Sequence, residues 1–323
     1  VAMAVLVAPY FRKVGCYTVP GFLGRRFESR MLRLAAAAVL AVPLLLVIAA
    51  ELRIAIMAAT WLTGASARAM GTLLIVATVA TLVLGGMRSM SWTGSAQAIV
   101  AFLALLLPAT MIAVALTNLP LPQVSYGSVI RTIGRQEWSH GIPRPILSPM
   151  AFGLAGTGFE AVTRHFAAPF GSLGPVSFML TSLTVMAGVA TAPWLLPRTG
   201  ATPGVYDARK SLGWATVLFG VAMLTMAGVA VFMREFLLDE LVGREAAKLP
   251  VWFKTLLAMD FVRLDARAPR LAVPAFTFNR DAVLFALPIA AGYSRVVLDV
   301  ALAGAIAAAL AAVGTGVVAL ATL

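Results

Sequence analysis

Six stretches of the chain are apolar over about the length that crosses a bilayer: residues 36–59, 70–86, 96–118, 175–196, 212–233 and 296–320. A hydrocarbon core about 30 Å thick takes roughly 20 helical residues at 1.5 Å each. Strands of a membrane barrel would run for about ten residues with alternating polarity, and these stretches do neither. Lipid offers no water to backbone polar groups, so each stretch is predicted to satisfy its own as a helix. A further apolar stretch, Val1–Phe11, is too short to span and reads as the end of a helix. The predicted fold class is therefore all-α, a polytopic transmembrane bundle of about six full spans and one partial span, forming a single membrane domain over 1–323. Counting crossings makes 11–34 a cytoplasmic loop, returns the chain inside at Gly85–Thr93, and makes 119–172 and 234–281 long outer segments. Within the second of these, an interfacial helix is expected around Val251–Val262, with Trp252 and Phe253 at headgroup depth.

Composition agrees with this pattern. Apolar residues make up 61% of the 323 positions and charged residues 12%, against about 25% charged in soluble domains. The net charge of +12 raises the question of a nucleic-acid partner, but its placement points to the bilayer. Arg12, Lys13, Arg25, Arg26, Arg30 and Arg33 crowd one short loop; Arg198, Arg209 and Lys210 sit in another, and Arg88 in a third. By span counting all three loops lie on one side, which the positive-inside rule makes the cytoplasmic side of a bacterial inner membrane. The long segment 234–281 carries seven acidic residues that nearly balance its basic ones. A lipid bilayer, and no nucleic acid, is the expected partner.

Candidate chemistry is sparse. Cys16 is the lone cysteine, and His140 and His165 have no Cys or carboxylate at metal-ligand spacing, so no metal site is assigned. No nucleophile–base–acid pattern stands out, and neither a catalytic residue nor a cofactor is expected. Glu51 and Arg53 interrupt the first full span. An ionised group at mid-bilayer costs about 2.5–3.5 kcal/mol and needs a partner or a watery cavity. Two residues apart, they leave a helix on nearly opposite sides and do not pair. They either face a solute path or snorkel from the outer end of a long tilted helix. Ser182, Thr184 and Gly188 lie in the span 175–196, which Gly188 and Pro193 interrupt and Pro197 follows. Broken helices of this kind mark substrate and ion paths in transporters, and equally serve close helix packing.

Several segments resemble the sodium:solute symporter family, with the acetate-permease-like branch the nearest. The first is Ala8-Pro9-Tyr10-Phe11-Arg12-Lys13, followed by Tyr17-Thr18-Val19-Pro20-Gly21-Phe22 and Arg26-Phe27. Next come Gly85-Gly86-Met87-Arg88 with Trp92-Thr93 and Gln97, then Ala208-Arg209-Lys210-Ser211 with Gly213-Trp214. Asp281-Ala282-Val283-Leu284, Pro288, Gly292 and the run Ala303–Leu310 complete the series in family order. The resemblance implies a LeuT-type fold of two inverted five-helix repeats, of which this chain holds the end of core helix two through helix eight. Helices one, nine and ten are then expected to be missing, consistent with a partial span at the start and a last span that runs to Leu323. The resemblance also implies secondary transport of a small solute, a monocarboxylate such as acetate, by alternating access. Ser182, Thr184 and Gly188 would lie near the substrate path.

The departures from the family bear on coupling. Its cation site draws on helix-eight positions that fall on Ala308, Ala311 and Ala312 here, and alanine at the last two supplies no side-chain oxygen. The family's LPH reads Ala192-Pro193-Trp194, and the segment before helix eight reads LDARAPR over 264–270. Sodium is therefore not expected as a coupling ion. The rival expectation is a degenerate, non-transporting membrane domain acting as a sensor, scaffold or subunit; a small membrane subunit is a further candidate partner.

Overall fold

The computed structural model describes residues 7–16, 18–139, 145–146, 162–163, 174–195, 202–245, 248–264, 271, 276–279 and 282–323. His140, His165, Pro197, Arg198, Asp281 and most of the segment 264–270 lie outside these residues, and so do the expectations attached to them.

Two short helices open the described chain, α1 (Ala8–Val14) and α2 (Val19–Arg26). Thr18 caps α2 by accepting from the Gly21 amide at 3.1 Å, which satisfies one of the donors a helix start leaves unpaired. Ser29 caps α3 (Arg30–Thr63) in the same way, accepting from Leu32 N at 3.2 Å. Gly64 ends that helix in the left-handed region, φ 72°, with its amide on Thr60 O at 2.8 Å.

The next two spans are α4 (Ala67–Gly86) and α5 (Arg88–Thr117). The loop expected at Gly85–Thr93 is not there. The chain stays helical except for a break at Gly86, whose φ 53° and ψ −151° are open essentially to glycine alone. A polar, glycine-containing stretch looks like a loop in sequence, but a helix satisfies its own backbone and needs only one glycine to change direction.

The expected outer segment 119–172 contains an amphipathic helix, α6 (Pro122–Ser139). Its buried residues Pro122, Ser125, Val129, Ile133 and Glu137 recur every three or four positions, the spacing of one helical face. A two-residue antiparallel ladder pairs β1 (Pro145–Ile146) with β2 (Val162–Thr163). The fourth predicted span is α7 (Pro175–Ala190), 16 residues and so about 24 Å. It stops short of the predicted residue 196 because Pro193 has no amide to donate and bars helix in the residue before it.

α8 (Val205–Glu240) runs for 36 residues, seven beyond the predicted end of its apolar run, so the outer segment 234–281 begins as helix. α9 (Val251–Ala258) falls within the stretch Val251–Val262 where a helix is expected. Its Phe253 is fully buried within the protein, not turned outward toward headgroups, while Trp252 is half-buried and donates its indole N–H to Glu240. β3 (Val262–Leu264) and β4 (Phe276–Phe278) pair antiparallel, and α10 (Val283–Ala290) and α11 (Arg295–Ala321) complete the described chain.

Residues group into two compact units. The first comprises 1–105, 184–222 and 299–323, and the second 106–183 and 223–298. In the first, Ala55, Ala59, Leu74 and Ala309 form a core of small side chains with Leu52, Ile56, Ile306 and Leu310 around it. α11 approaches its neighbours closely: a Cβ on Gly304 would lie 2.1 Å from Ala104 Cβ, and one on Gly316 2.7 Å from Ile48. Helices in lipid associate through packing of this kind, because lipid tails offer no apolar surface to escape from. In the second unit α6 lies along α8, where a Cβ on Gly228 would come 3.1 Å from the Pro122 carbonyl oxygen.

Candidate functional site

A cavity of about 110 Å³ lies in the first unit where α4, α5 and α11 meet. α4 contributes Thr78 and Thr81, one turn apart, and α5 contributes Thr93 and Gln97, also one turn apart. α11 closes it with Leu310, Ala311 and Gly314. The three hydroxyl protons are engaged by the helices themselves: Thr78 donates to Leu74 O, Thr81 to Thr78 O and Thr93 to Ser89 O, each at 2.8 Å. Every hydroxyl oxygen therefore keeps lone pairs for other partners, and Gln97 adds an amide that both donates and accepts. Among the described residues no ionisable side chain lines the space. Chemically it is a neutral, oxygen-rich pocket, able to solvate water, a small polar solute or a cation, but without a charge to neutralise a carboxylate.

The residues singled out in the sequence are scattered about this cavity more than gathered in it. Ala311 lines it, and its carbonyl accepts from Thr315 Oγ1 at 2.7 Å. Ala312 is half-buried and Ala308 exposed, and neither lines it. On α3, Glu51 is half-buried and Arg53 exposed, in keeping with side chains that leave the helix on different sides. Ser182, Thr184 and Gly188 are all exposed on α7. Ser182 donates to its own helix at Phe178 O, 2.8 Å away, and nothing stands within 4 Å of a Cβ on Gly188. None of these five lines the cavity. The sequence reading passed over Thr78, Thr81, Thr93 and Gln97, although their spacing inside apolar runs was a usable signal.

It also passed over a polar seam in the second unit. Glu137 of α6, fully buried, pairs with Arg234 of α8 at 3.6 Å. Gln123 Nε2 donates to Thr225 Oγ1 at 2.7 Å, and Gln136 Nε2 to Glu235 Oε1 at 3.4 Å, so α6 is fastened along α8 at two levels. Tyr293 OH donates to Met111 O at 3.0 Å. Among the described residues no group of three or more His, Cys, Asp or Glu side chains is placed to hold a metal ion.

Among the described residues, five helices long and apolar enough to cross a membrane and a shorter apolar sixth describe a polytopic helical membrane protein, with a neutral oxygen-lined cavity between three of the helices. The chain belongs to the sodium:solute symporter family, whose sequence model matches residues 1–260. An uncharacterized symporter of Cupriavidus necator is 24% identical over 393 aligned positions, which take in 95% of this chain and 57% of that protein. The chain thus spans little more than half the length of that relative. No solved structure matches it. The family match ends before α11, the helix that carries Ala308, Ala311 and Ala312.

Proposed function

We propose that the chain forms part of the helical core of a secondary transporter that moves a small solute, a monocarboxylate such as acetate, across the bacterial cytoplasmic membrane by alternating access. The family match over residues 1–260 carries this reading. The cavity between α4, α5 and α11 supports it, since a transported polar species needs oxygens in place of its water inside the bilayer. A carboxylate anion would need its charge met elsewhere, because the cavity lining holds no cation. Sodium coupling through α11 side chains is not part of the proposal: Ala311 and Ala312 present no side-chain oxygen.

Those alanines favour a second reading, a non-transporting membrane domain that serves as a sensor, scaffold or subunit. Uptake of labelled acetate and pyruvate into vesicles separates the two, with the protein expressed from its complete gene. Uptake above empty vesicles is expected, and Thr93→Val with Gln97→Leu should lower it by about fivefold through lost hydrogen bonding. Correctly inserted protein that takes up neither solute would overturn the transport reading in favour of the second.

A further inference from the structure

The arginine-rich end of the first unit is hollowed. α2, the start of α3 and the end of α11 border an open recess of about 740 Å³, whose lining includes Arg25, Glu28, Ser29, Arg30, Arg33 and Thr322. Three guanidiniums thus face one carboxylate. Arg25 is held at the wall, with Nη1 donating to Val14 O at 3.1 Å. Gly24 lies against the stem of Arg33, where a Cβ would come 3.1 Å from Arg33 Cβ. Arg30 and Arg33 are three apart in the first turn of α3, hence on one face, and that turn contains no acidic residue.

This is the wrong charge for the place. The start of a helix carries partial positive charge and favours acidic side chains or bound anions. Two arginines at the head of a 34-residue helix repel it and each other, and an anion between them relieves both repulsions. The surroundings say what kind of anion. Phe27, Met31 and Leu34 stand 63%, 79% and 57% exposed beside the recess. A soluble phosphate accounts for the arginines but not for an exposed apolar flank; a phospholipid accounts for both. The recess lies where the apolar span α3 gives way to the arginine-rich α2 and its own polar first turn, the kind of boundary at which headgroups sit.

We propose that this recess binds the headgroup phosphate of an anionic phospholipid, gripped by the planar guanidiniums of Arg30 and Arg33, with acyl chains lying along Met31 and Leu34. By the positive-inside pattern the lipid belongs to the cytoplasmic leaflet, where basic recesses beside membrane helices hold such headgroups. The inference does not depend on whether the protein transports a solute.

Native mass spectrometry of the purified protein during graded delipidation tests this, with phosphatidylglycerol and phosphatidylcholine of the same acyl chains supplied equally. Phosphatidylglycerol should be retained about tenfold in preference, and Arg30→Gln with Arg33→Gln should bring the preference close to one. Arg68→Gln, in the first turn of α4 and outside the recess, should leave the preference intact. Arg30→Lys with Arg33→Lys keeps the charge and loses the fork, so it should retain an intermediate preference. Equal retention of both lipids by the unaltered protein overturns the proposal without reference to any variant. So does an undiminished preference in the double glutamine variant. Displacement of the bound lipid by inorganic phosphate alone would assign the recess to a soluble anion and overturn the lipid assignment.

Discussion

Glu137 and Arg234 face each other at 3.6 Å, the carboxylate fully buried and the guanidinium 13% exposed. One comes from the amphipathic helix α6 and the other from the C-terminal end of α8, almost a hundred positions later in the chain. The pair fixes the depth at which α6 lies along α8, with Gln136–Glu235 beside it and Gln123–Thr225 several turns earlier on both helices. Desolvating two charges offsets much of their attraction, so the pair contributes more to register than to net stability.

Breaking it one-sidedly should nonetheless be expensive. Glu137→Leu removes the carboxylate that Arg234 faces in a largely buried site, a loss of about 3–5 kcal/mol. Replacing both, Glu137→Leu with Arg234→Met, should recover most of that loss. Thermal unfolding of the unaltered protein, Glu137→Leu, Arg234→Met and the double variant in one detergent gives the coupling. Additive losses from the two single changes would show that the pair does not act as a unit.

Gly304 and Gly188 should respond in opposite ways to a larger side chain. A Cβ on Gly304 collides with Ala104, so Gly304→Leu is expected to separate α11 from α5 and cost about 1–3 kcal/mol. Open space surrounds Gly188, and Gly188→Ala on an exposed helix should stabilise by about 0.5–1 kcal/mol. Melting temperatures in detergent check both. Equal tolerance at the two positions would contradict the tight α5–α11 crossing.

The arginine-rich segment is expected to face the cytoplasm. In a Cys16→Ser background, an impermeant maleimide added to intact cells should label Lys248→Cys, on an exposed side chain, and leave Arg26→Cys unlabelled until the cells are opened. Labelling of Arg26→Cys in intact cells would reverse the orientation.

The spans were readable because a bilayer imposes its rule locally: each crossing must be apolar and helical whatever surrounds it. Hence α3, α8 and α11 fall close to their predicted positions, with polar ends prolonging α3 and α8. Errors came where local composition misleads. Gly85-Gly86 with polar neighbours reads as a loop, yet only Gly86 leaves the helix. Pro193, noted as an interruption, ends α7 early. α6 was legible in the spacing of Pro122, Ser125, Val129, Ile133 and Glu137, but lies in a segment assigned as an outer connection.

The candidate site was less legible. Thr78 and Thr93 sit on different helices and look like ordinary hydroxyl residues bonded to their own turns. Only the packing of α4, α5 and α11 makes them neighbours across from Ala311. Ser182, Thr184 and Gly188, chosen for composition and resemblance, remain exposed on α7.

By itself the sequence determined that the chain crosses a membrane as helices, where most crossings lie, and the family to which the chain belongs. Tertiary structure decided which faces of those helices meet: Gly304 on Ala104, Gly316 beside Ile48, and Thr78, Thr93 and Gln97 around one cavity. The reason lies in the solvent. Water marks the inner face of a soluble helix with an apolar stripe, whereas lipid accepts an apolar side chain on any face, so the spans are apolar all round and small residues and close contacts settle their orientation.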